Sequence, residues 1–91
     1  MYKHKEVKAR VTQMSPVLRG LAEEMLQRSE LYATSNMPLE ETFDSDLLAQ
    51  LRLALSNPEL NQEWKEFWQA LIDAHREDAE AIRRGEHDHE L

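Results

Sequence analysis

The chain has 91 residues, with 18 Asp and Glu against 11 Lys and Arg, a formal net charge of −7, 41% hydrophobic residues and no cysteine. Those values describe one small domain with a heavily charged surface, and they exclude a disulfide scaffold, a thiolate zinc site and a cysteine nucleophile. With 2 glycines and 3 prolines the chain also lacks the turns of an all-β sandwich or barrel.

The N-terminus comes first. Lys3, Lys5, Lys8, Arg10 and Arg19 stand against Glu6 in residues 1–20, a net +4, so the rest of the chain carries −11. A basic arm therefore precedes an acidic body. Val7, Val11, Met14, Leu18, Leu21 and Met25 keep steps of three and four, which favours helix through the arm, kinked at Pro16. A strand over 6–12 is the alternative, with Lys8, Arg10 and Thr12 on one face. No apolar run follows the basic start, so neither a signal peptide nor a bilayer span is expected, and the default location is cytoplasmic.

Ser15-Pro16 is a cap followed by proline, and Val17, Leu18, Leu21, Ala22, Met25 and Leu26 make a helix face over 16–33. Residues 34–45 read as a connector, with one helical turn at Pro38–Glu41 and Phe43 as its anchor to the core. Asp44-Ser45-Asp46 offers caps for a leucine-rich helix at 46–56, which is expected to be well buried. Ser56-Asn57-Pro58 ends it, because a residue before proline avoids helical angles. Asn57-Pro58 then opens a long helix over about 58–84, with Leu60, Trp64, Phe67, Trp68, Leu71, Ile72, Ala79 and Ile82 on one side and Gly85 as its C-cap. The segment 85–91 reads as a polar, flexible tail.

The expected architecture is all-α: a basic arm at 1–15, a helical body at 16–84 and the tail. It forms a bundle of three to four helices completed by dimerisation, since so short a chain has little surface to cover two tryptophans. Trp64, Phe67, Trp68 and Leu71 are the expected partner or dimer anchors. Glu23, Glu40, Glu41, Asp44, Asp46, Glu63 and Glu66 are the expected acidic surface that steers a basic protein partner.

Catalytic and cofactor chemistry has little to stand on. Ser15, Ser35, Ser45 and Ser56 fall at caps and loops, and two glycines build no phosphate loop. His75 and Asp78 share a helix face, but no second Glu-x-x-His partner completes a carboxylate-bridged metal site. His87-Asp88-His89-Glu90 could bind Zn²⁺ or Ni²⁺ only weakly, and His4 stands isolated. No enzyme, cofactor or metal is expected. The function expected is that of a small acidic interaction or regulatory protein, of adaptor or inhibitor type.

If 6–12 is a strand, the order of strand, helix and later helix resembles a ribbon-helix-helix repressor. That resemblance implies a DNA-binding regulator or antitoxin whose paired strands place Lys8, Arg10 and Thr12 in the major groove. The connector over 34–45 departs from the family, which joins its helices by a short turn. The acidic body disfavours general nucleic-acid binding.

Overall fold

A computed structural model describes residues 2–35 and 37–84. These residues contain four α-helices, two short 3₁₀ turns and no strand. We name the α-helices α1 (Tyr2–Val11), α2 (Pro16–Ala33), α3 (Ser45–Ala54) and α4 (Asn61–Arg83). The 3₁₀ turns lie at Leu39–Thr42 and Pro58–Leu60. The predicted tail, with Gly85, His87 and His89, lies outside the described residues.

The arm is helical, and α1 places Lys8 and Arg10 in its last turn, where the helix dipole favours cations. The apolar phase runs on into α2, but the helix does not. It ends at Val11, and a turn carries the chain to Ser15. Pro16 lacks the N–H that a continuing helix would need and instead starts α2. Glu63 fixes this turn. Its carboxylate accepts from the Ser15 N–H at 2.6 Å and from the Ser15 hydroxyl at 2.7 Å.

The predicted long helix also begins differently. Asn57 accepts from the N–H of Glu59 at 3.1 Å, and the Leu60 N–H reaches back to the Asn57 carbonyl at 3.1 Å, so the first turn is 3₁₀ and α4 starts at Asn61. At about 1.5 Å per residue, α4 spans about 35 Å and forms the spine of a body 42 × 26 × 17 Å. Helices α1 and α2 pack along it, and α3 packs mainly on α2. The core holds Val7, Val11, Met14, Leu18, Met25, Leu47, Trp64, Phe67 and Leu71.

The expectation that the leucine-rich helix is well buried is not met. In α3 only Leu47 is buried, and Leu48 and Leu53 are exposed. Four leucines crowd more than one face of this short helix, and α3 packs mainly against α2. Asp44 caps it, accepting from the Leu47 N–H at 2.9 Å.

Candidate functional site

Two features stand out: a buried chain of polar groups, and an open groove beside α3.

The chain begins at Asp78 on α4. Its carboxylate accepts the N–H groups of Lys3 and His4, each at 3.1 Å, and bonds to Nδ1 of His4. Nε2 of His4 meets the Ser29 hydroxyl at 2.7 Å, and the hydroxyl meets Nδ1 of His75 at 2.7 Å. Nε2 of His75 donates to the Met37 carbonyl at 2.8 Å. Three helices and the connector each contribute a group. His4 is 1% exposed and Ser29 0%. Among the described residues no buried side-chain nitrogen or oxygen lacks a partner, so this polar core is satisfied throughout.

Burial pushes the Asp78 carboxyl up, but hydrogen bonds from the His4 ring and from the Lys3 and His4 N–H groups outweigh it, and the group lies below its ordinary value. The Asp78–His4–Ser29 order is that of a hydrolytic triad. Here, however, the hydroxyl has an imidazole on each side and no surface, so no carbonyl can approach it.

Sequence reasoning missed this chain because each member reads as an isolated polar residue. A signal was present in the spacing. His4 precedes Val7 and Val11 on the buried stripe of α1, Ser29 follows Met25 and Leu26 on that of α2, and His75 and Asp78 follow Leu71 on that of α4. His75 and Asp78 share a face, as predicted, but they bond different partners rather than a common ligand. Among the described residues no group of three or more His, Cys, Asp or Glu side chains could hold a metal ion.

The groove lies between the start of α2 and the end of α3. Val17, Leu21, Leu53, Ala54 and Leu60 line it with Gln50 and Asn57, and it encloses about 480 Å³. Val17 is 61% exposed and Leu53 77%. A second hollow continues it along α2, sharing Val17, Leu21 and Gln50 and ending at Glu24, Arg28, Asp44 and Asp46. Arg28 pairs with Glu24 at 3.0 Å and with Asp44 at 3.3 Å. The Leu47 N–H, followed by Arg28, holds the Asp44 carboxyl below its ordinary value despite some desolvation. Three carboxylates against one guanidinium leave this end of the trough negative.

The predicted anchors lie elsewhere. Trp64, Phe67 and Leu71 are buried within the chain's own core, and Trp68 is half-buried. Trp64 meets Phe67 at 5.1 Å and Trp68 at 6.2 Å between ring centroids, and Phe43 meets Trp68 at 5.8 Å. Of the predicted acidic surface, Glu23, Glu40, Glu41, Asp46 and Glu66 are exposed, Asp44 caps α3 and Glu63 is tied to Ser15. Lys8, Arg10 and Thr12 are exposed, but residues 6–11 are helix, so the strand on which the ribbon-helix-helix resemblance rested is absent.

Comparison of the chain with protein-family models, with curated proteins and with solved structures gives no match. Among the described residues no helix is long and apolar enough to cross a membrane.

Proposed function

We propose that this protein is a non-enzymatic interaction module whose α2–α3 trough receives an amphipathic, basic helix of another protein. The observation that carries the reading is the exposed apolar pair Val17 and Leu53 in a groove that runs into the carboxylates Glu24, Asp44 and Asp46. Apolar side chains of the partner would fill the groove, and its Lys or Arg residues would meet the acidic end. A second copy suits the site less well, because its basic helix α1 already has its apolar side, Val7 and Val11, buried in its own core.

The test is fluorescence anisotropy with a labelled leucine–lysine amphipathic helical peptide. Burying one leucine contributes about 1.5–3 kcal/mol, so Leu53→Ser is expected to weaken binding about 10- to 100-fold. Leu31→Ser serves as the control, since Leu31 is 65% exposed away from the groove. Binding by the wild type should fall as salt rises. Equal affinity of the wild type and Leu53→Ser would overturn the proposal. So would a wild-type dimer in light scattering that Leu53→Ser dissolves, because the groove would then belong to a second copy.

A further inference from the structure

The buried chain holds a proton count that its members cannot meet when neutral. It contains four hydrogen bonds: Asp78–His4, His4–Ser29, Ser29–His75 and His75–Met37. Both ends are acceptors, a carboxylate and a carbonyl, so every bond between them needs its own proton. Neutral His4, Ser29 and neutral His75 bring one proton each, which makes three. The fourth must come from solvent, and the Asp78 carboxylate balances its charge.

We propose that the folded protein binds one proton in this chain, and that losing it unlatches the connector from α4 at Met37. The two protonated arrangements are equivalent in count. Either His4 is the imidazolium and the Ser29 hydroxyl donates to His75, or His75 is the imidazolium and the hydroxyl donates to His4. Moving one proton along each of the two serine bonds, from His4 to the hydroxyl and from the hydroxyl to His75, exchanges them.

Without the fourth proton, one contact must set acceptor against acceptor. A lone pair facing the Asp78 carboxylate is the costliest choice, because that site is buried and charged. The cheapest lies at the other end, where Met37 is half-buried and its carbonyl can turn to water. All remaining bonds then run toward Asp78, each histidine carries its proton on Nδ1, and the His75–Met37 bond is lost. The connector is released at Met37 while α1 stays docked.

The neighbouring charges do not supply the missing proton. On α1, Lys3 pairs its ammonium with Glu6. On α2, Arg28 turns to Glu24, Asp44 and the Thr42 carbonyl, and Tyr32 is half-buried. On α4, Arg76 pairs with Asp73, Glu77 is exposed and Glu80 is half-buried. Glu40 and Glu41, beyond the connector, are exposed.

The experiment is long-range ¹H–¹⁵N NMR of the histidine rings in the full chain, with amide exchange across the same pH series. At about pH 7.5 a free imidazole is mostly neutral. The expected result there is three ring protons over the four ring nitrogens of His4 and His75. At higher pH the count falls to two, both on Nδ1, and connector amides lose protection, corrected for intrinsic exchange, before those of α1. Two ring protons already at pH 7.5 would overturn the proposal. Release of α1 before the connector, or a connector whose protection does not follow the ring count, would also overturn it. In Ser29→Ala, the His75 tautomer should no longer follow the titration of His4. The wild-type spectra decide the matter even if that variant unfolds.

Discussion

Replacing Ser29 with alanine takes one oxygen from the centre of the buried chain. Nε2 of His4 and Nδ1 of His75 each lose a partner at 2.7 Å. A lone hydroxyl leaves too small a void for a water molecule to enter. Each unsatisfied buried group costs about 1–3 kcal/mol, so the loss should be about 2–6 kcal/mol. A domain of 91 residues has about 5–14 kcal/mol in total. The variant should therefore lose a large share of its stability, and its Tm should fall by about 8 °C or more. Urea unfolding followed by tryptophan fluorescence reads this directly, since Trp64 is in the core and Trp68 lies against it. Ser35→Ala, at an exposed position, is the control. A loss below about 1 kcal/mol, equal to an ordinary hydroxyl deletion, would refute the claim that the chain depends on its central bridge.

Three further outcomes follow from the same structure. Asp78→Asn should flatten the acid side of the stability profile. The folded carboxyl lies below its ordinary value, so its contribution is complete above about pH 4 and is lost as pH falls through the folded value; a wild-type-like acid slope in the variant would count against it. Phe67→Ala should cost about 3–5 kcal/mol in urea unfolding, whereas Leu53→Ala should stay within about 0.5 kcal/mol, because one side chain is in the core and the other in solvent. Gly20→Ala should stabilise α2 by about 0.5–1 kcal/mol, measured as a rise in Tm, since nothing within 4 Å meets the added methyl group.

Much of the fold was legible in the sequence. The cap-plus-proline pair at Ser15-Pro16 and the apolar steps after it place α2 at the bounds expected. The continuous phase of Val7, Val11 and Met14 put all three residues in the core, although the helix breaks after Val11, because phase reports the buried side and not the hydrogen bonding. Leucine content misled at α3. Burial depends on how many neighbours a helix finds, and composition does not contain that number. The aromatic cluster was correctly seen as a cluster, but whether it faces inward or toward a partner depends on where α1 and α2 lie. The polar chain was the least legible feature. His4 and Asp78 are far apart in sequence, and a polar residue on an apolar stripe looks like a lapse in the pattern until its partner is placed.

The two features are insulated from each other, and the way the connector is held explains how. Its path from Met37 to Phe43 is fixed to α4 at two points, the His75 bond at Met37 and the ring contact between Phe43 and Trp68. Between these points the Thr42 carbonyl accepts from Arg28 on α2 at 3.1 Å, and Leu39 is buried in the core. Loss of the His75–Met37 bond leaves the ring contact, the Arg28 bond and Leu39 in place. The released segment is therefore confined to the stretch before the 3₁₀ turn, and α3, which starts just beyond Phe43, keeps its seat on α2. Binding in the α2–α3 trough should then be insensitive to the proton in the buried chain. An affinity for the leucine–lysine peptide that holds constant from pH 6 to 9, while connector protection changes, is the outcome this layout requires. A parallel change in both would mean that the ring contact and Arg28 do not isolate α3, and that the latch reaches the binding face.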